Sequence, residues 1–189
     1  MTSFFSYPPF AFLSPERRRN YFWFFLVITI LVMLGLNLTG APMTTEAAPY
    51  GIVSVELAGS VSAAEKILES WDAVARERCA FNLGLDYLFM PVYATTISLG
   101  CAMASSALQR SNWPLGKFGA SLGWLQFLAA LLDAIENYAL VAILFGGIAS
   151  PWPQIAAWCA IPKFILIFMG IVYAIYGASV VLVTRLTSK

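Results

Sequence analysis

Phe118–Phe145 reads FGASLGWLQFLAALLDAIENYALVAILF, an apolar run whose only strongly polar residues are Gln126, Asp133, Glu136 and Asn137. A bilayer's hydrocarbon core of roughly 30 Å needs about 20 such residues in a helix, so this stretch is long enough to span. Three further runs meet the same requirement, at Tyr21–Leu38, Leu83–Ser105 and Ile161–Val183. All four are continuous rather than alternating, which excludes a transmembrane β-barrel. The expected fold class is an all-α membrane protein, a four-transmembrane-helix bundle with an extracytoplasmic amphipathic helix. Residues 1–189 form a single integral membrane domain in this reading. Its parts are a cytoplasmic tail at 1–20, spans at 21–39, 83–107, 118–146 and 161–184, and an extracytoplasmic segment at 40–82 with a helix over 62–81.

Composition agrees. The chain is 60% apolar, 15% aromatic and 11% charged, against about 25% charged residues in soluble domains. The net charge of +1 is uninformative, but the distribution of charge is not. Arg17, Arg18, Arg19, Arg110, Lys117, Arg185 and Lys189 fall on one side of the four spans, and Lys66, Arg76, Arg78 and Lys163 on the other. The positive-inside rule then puts both termini in the cytoplasm. Histidine is absent, which rules out a histidine-ligated cofactor and a Ser-His-Asp arrangement. Cys79, Cys101 and Cys159 have no C-x-x-C spacing and read as three unpaired small apolar residues.

Phe4, Phe5, Phe10 and Phe12 load the tail with aromatics, which suits contact with the membrane surface or a neighbour. Arg17–Arg19 ahead of a long apolar run reads as an uncleaved signal anchor. In the segment between the first two spans, Ile52–Leu57 alternates like a strand; with no second strand to pair, it is an extended loop or an edge awaiting a partner chain, and the loop is expected. Ser62 and Glu65 form an S-x-x-E capping box that opens an amphipathic helix carrying Ile67, Trp71, Val74 and Ala75 on its apolar side. Asn82–Gly84 is expected to bend the chain into the second span, and Gly146–Ala160 to form a loop rich in tryptophan and proline. Pro91 frees the Tyr87 carbonyl and kinks the second span beside Met90 and Tyr93. Gly119 and Gly123, and Gly170, Ala174 and Gly177, are small-residue stripes for close helix packing.

Three carboxylates stand inside spans: Asp86, Asp133 and Glu136. An ionised acid at mid-depth costs at least about 2.5–3.5 kcal/mol on insertion scales, so each needs a partner. Asp133, Glu136 and Asn137 share one helix face by their spacing. Counted from Lys117 at 1.5 Å per residue, Asp133 and Glu136 lie roughly 24 and 28 Å along the third span. Asp86 and Lys163 lie early in spans that enter from the opposite side, so Asp86, Asp133, Glu136, Asn137 and Lys163 share one depth on three helices. These five are the candidate ligand or ion site. Either they hold a proton, a cation, an amine or a lipid headgroup, a hard divalent metal among them, or Lys163 and Asn137 neutralise the acids in a structural clasp.

The combination Val55-Glu56-Leu57-Ala58-Gly59, Trp71-Asp72, Leu85-Asp86-Tyr87-Leu88-Phe89 and Asp133-Ala134-Ile135-Glu136-Asn137-Tyr138 resembles a type of small four-span bacterial membrane protein over roughly residues 52–180. The resemblance implies a shared four-helix arrangement and no particular reaction. The expected function is therefore that of a non-catalytic integral membrane protein, an accessory or assembly subunit or a lipid-facing binding protein. The alternative is a transporter or membrane-embedded enzyme that uses Asp86, Asp133 and Glu136 to bind a proton, cation or lipid headgroup. Expected partners are the lipid bilayer and a membrane protein or a lipid, with no nucleic acid; no cofactor is expected.

Overall fold

A computed structural model describes residues 7–187; Phe4 and Phe5 of the aromatic tail and the terminal Lys189 lie outside them. Helix is the regular structure of the described residues, with no strand among them. The helices are α1 (Pro15–Gly40), α2 (Ile52–Glu56), α3 (Val61–Glu69), α4 (Ala73–Arg110), α5 (Phe118–Gly146) and α6 (Trp152–Thr187), with a 3₁₀ turn at Ala41–Met43. Four of them, α1, α4, α5 and α6, are long and apolar enough to cross a membrane.

The expected third span coincides with α5. The others are longer than the apolar runs that announced them. α4 has 38 residues and α6 has 36, about 57 and 54 Å at 1.5 Å per residue, so both outreach a 30 Å hydrocarbon core. Hydropathy marks where a helix turns polar, not where it stops. The expected bend at Asn82–Gly84 is absent, because α4 runs through it from Ala73. The break falls instead between Glu69 and Ala73, dividing the expected helix over 62–81 into α3 and the first turns of α4. Asp72 opens α4 by accepting the Ala75 N–H at 2.8 Å, which satisfies one of the donors every helix start leaves over. The capping box also shifts: Ser60, not Ser62, caps α3, its hydroxyl accepting the Ala63 N–H at 3.2 Å. Most of the expected loop at 146–160 is helix, since α6 begins at Trp152; Pro153 sits in its first turn, where no N–H is needed.

The chain divides into two compact units, each drawing on α1, α4, α5 and α6. The first comprises Met1–Ile28, Val92–Ala129 and Phe164–Lys189. Its core holds Cys101, Ala104, Leu108, Leu122, Tyr173 and Val180. Small residues permit the approach of its helices. A β-carbon on Gly177 would meet Ala104, and one on Gly119 would lie 2.5 Å from Ser105 Cβ and 2.7 Å from the Cys101 carbonyl. The α4–α5 connection is fixed by Ser105 and Tyr173, whose hydroxyls donate to the carbonyls of Gly116 at 2.7 Å and Leu115 at 3.0 Å.

The second unit comprises Thr29–Pro91 and Ala130–Lys163. Its core gathers Met43, Val55, Ile67, Leu68, Trp71, Leu83, Leu140 and Ile143, among others. α3 turns Ile67 and Leu68 into that core, also buries Ala64, and leaves Glu65, Lys66 and Glu69 exposed. Trp71 is 3% exposed and its indole N–H donates to the Met43 carbonyl at 2.8 Å, which ties the 3₁₀ turn to the α3–α4 junction. Cys79, Cys101 and Cys159 are free thiols.

Candidate functional site

The third-span acids meet the fourth-span lysine in the second unit. Asp133, Glu136 and Asn137, spaced three and four apart on α5, are all buried, with Glu136 fully so. α6 presents Lys163, also buried, immediately after Pro162, which has no N–H to offer the Trp158 carbonyl one turn earlier. The Lys163 ammonium donates to Asp133 Oδ1 at 2.8 Å and to Glu136 Oε1 at 2.8 Å. It lies 2.8 Å from Glu136 Oε2 as well, an ion pair with no directed hydrogen bond to that oxygen.

A third acid completes the cluster. Glu56 reaches Lys163 Nζ at 3.5 Å from the end of α2 and is itself buried. The sequence reading misses it because the alternation at Ile52–Leu57 suggests extended chain. The segment instead forms one and a half turns of helix after Gly51, whose φ of +58° suits glycine. On a helical period Ile52, Val55 and Glu56 share a face, and that face is turned inward: Val55 and Glu56 are buried and Ile52 packs on the same core. An acid on the apolar side of a short segment between glycines is the signal that could have found it. The Leu57 N–H closes α2 by donating to the Val53 carbonyl at 3.1 Å.

Asp86 takes a different partner. The Asn137 amide donates to Asp86 Oδ2 at 2.9 Å and to the Leu83 carbonyl at 3.4 Å. The five expected residues thus form two neighbouring groups, Lys163 with Asp133 and Glu136, and Asn137 with Asp86. They adjoin at Glu136 and Asn137, consecutive residues of α5. Met90 and Tyr93, expected near a pocket wall, are each buried.

An ammonium has three N–H donors, and three carboxylates surround this one, from α2 and from two positions on α5. Lys163 is therefore a fixed positive centre with its donors committed, poorly placed to act as a base. Among the described residues no group of three or more Cys, Asp or Glu side chains is arranged to hold a metal ion; the lysine stands where the acids converge. The formal charges do not balance. Glu56, Asp133 and Glu136 surround one lysine, and Asp86 adds a fourth acid in the neighbouring group.

Comparison with protein families, with characterised proteins and with solved structures finds no match to this chain, so the reading of the site rests on its own geometry.

Proposed function

We propose that the chain is a non-catalytic integral membrane protein, an accessory or assembly subunit or a lipid-facing binding protein, in which the Lys163 cluster is a clasp. α1, α4, α5 and α6 form a four-helix bundle with both termini in the cytoplasm, and residues 41–72 lie on the outer side with α3 as the amphipathic element. The carboxylate cluster then sits in the outer half of the bundle. One observation carries the clasp: all three donors of a buried ammonium are taken by carboxylates contributed by α2 and α5. A group so committed ties elements together and has no donor left for a substrate. The partner reading is supported by α1, whose spanning stretch has no buried residue and needs lipid or another helix against it.

A second reading has its own observation. Four acids near one lysine leave negative charge that a low-dielectric site does not tolerate, and Glu56, Asp133 and Glu136 all converge on the same ammonium. On this reading the cluster exchanges protons or a cation as part of a transporter or membrane enzyme. Purification in native-like lipid separates the two. A stoichiometric partner, with stability independent of pH and cations, supports the clasp in an assembly protein. A lone chain whose melting shifts with pH or cation concentration overturns it in favour of the second reading.

A further inference from the structure

The first unit contains a cavity that the clasp does not involve. It measures about 260 Å³, somewhat below the roughly 300–1,000 Å³ of drug-sized pockets, and its wall is almost wholly apolar. Phe10 and Phe12 from the tail, Tyr21 and Phe25 from α1, and Thr95 and Leu99 from α4 line it. Its tail wall is held by Arg18. That guanidinium donates through Nε to the Leu13 carbonyl at 3.1 Å, and through its two terminal nitrogens to the Ala11 carbonyl and to Ser106 Oγ, each at 3.4 Å.

The Arg18–Ser106 contact sets a level from which depth can be counted. Phe25 is seven residues beyond Arg18 on α1, and Leu99 is seven residues from Ser106 on α4. Both therefore lie about 10 Å from that level at 1.5 Å per residue. The cavity accordingly runs from a basic rim into the apolar stretch of the helices. Arg17, Tyr21 and Phe25 recur every fourth residue, so Arg17 caps the same stripe of α1 that lines the cavity. Its side chain is exposed, whereas Arg18 is engaged with the tail. Arg17, Arg18 and Arg19 outweigh the one adjacent acid, Glu16. An apolar slot with a cationic rim has the polarity of an anionic amphiphile.

We propose that this cavity binds one acyl chain of an anionic phospholipid, with the lipid phosphate at Arg17. The apolar lining suits hydrocarbon, and a guanidinium matches a phosphate in geometry and charge. Membrane-surface arginines contribute roughly a fivefold gain in anionic-lipid affinity each.

The test uses the full chain in detergent. Native mass spectrometry counts retained lipid after exposure to phosphatidylglycerol, phosphatidylcholine or a free fatty acid. Phosphatidylglycerol should be retained at one per chain and phosphatidylcholine several-fold less. Arg17→Gln, at an exposed position, should weaken phosphatidylglycerol retention about fivefold and narrow its advantage over phosphatidylcholine. Thr95→Phe, which fills the slot at a half-buried position, should reduce both. Equal retention of the two phospholipids overturns the proposal, as does preference for the fatty acid. Full phosphatidylglycerol retention in folded Thr95→Phe places the lipid elsewhere and also overturns it. An Arg17→Gln chain that discriminates as the natural one does removes the headgroup assignment, and the proposal with it.

Discussion

Replacing Lys163 with methionine keeps an unbranched side chain one atom shorter and removes the charge and all three donors. The two 2.8 Å bonds, to Asp133 and Glu136, are the charge-assisted kind, roughly 1.5–3 kcal/mol each. Together they bound the loss at about 3–6 kcal/mol, which brackets the ~3–5 kcal/mol typical when one partner of a buried pair is removed. Glu136→Gln alone should cost about 1.5–3 kcal/mol. If the effects added, the double variant would lose about 4.5–9 kcal/mol. With the pair gone from both sides it should lose no more than the lysine variant, so the cycle should return a coupling of about 1.5–3 kcal/mol. Asp133→Asn should couple comparably, at its equal distance, and Glu56→Gln less, at 3.5 Å. Reversible unfolding in mixed detergent micelles measures all of these. Membrane hydrogen bonds are a demanding comparison, since double-mutant cycles there average only about 0.6 kcal/mol. A coupling at or below that value for both Asp133 and Glu136 would refute the clasp, because the lysine would then be satisfied equally well elsewhere.

Single cysteines at Ser70 and Ser111, in a background lacking the three natural thiols, should label from opposite sides of sealed vesicles; labelling from the same side removes the four-span topology. Trp71→Phe should lower stability by about 1–3 kcal/mol by stranding the buried Met43 carbonyl, and unchanged unfolding would show that water replaces the indole. Gly177→Ala should destabilise, because its new methyl meets Ala104, whereas Gly84→Ala meets nothing within 4 Å and should stabilise α4 by up to about 1 kcal/mol. Matching shifts for the two glycines in the same unfolding assay would contradict the packing of α4 against α6.

What the sequence reveals here follows from what each interaction looks like along the chain. α5 is legible to the residue because Lys117 and the Gly146–Gly147 pair bracket a run that is apolar but for Gln126, Asp133, Glu136 and Asn137. The pairing of Lys163 with Asp133 and Glu136 is legible because charges inside apolar runs are conspicuous, and because counting residues from the span ends gives them one level. The continuation of α4 back to Ala73 is not. Arg76, Glu77 and Arg78 carry no apolar signal there, and nothing local distinguishes a surface helix from the start of a span. Glu56 is missed for a related reason. Five residues fit a period of two as readily as a period of 3.6, and only the core formed by Val55, Leu68 and Leu140 selects the helix. The division of the five candidates into two groups is likewise set by side-chain reach, since Asn137 stands one turn from Asp133 yet donates to Asp86.

α1 contributes no buried side chain along its length. Its moorings are polar. The Thr39 hydroxyl lies 2.7 Å from Asn82 Oδ1 near one end, and Arg18 grips Ser106 near the other. Casting off such a helix breaks a few side-chain bonds and strands no apolar surface, because hydrocarbon wets it equally well free or docked. Its own backbone bonds stay closed in either condition. The chain should therefore possess a low-lying excited state with α1 adrift in the bilayer and fully helical, while the rest keeps its packing. Amide exchange would be blind to that state. A spin label on α1 would see it as a second, broader distance population, enlarged when Thr39 is replaced by valine.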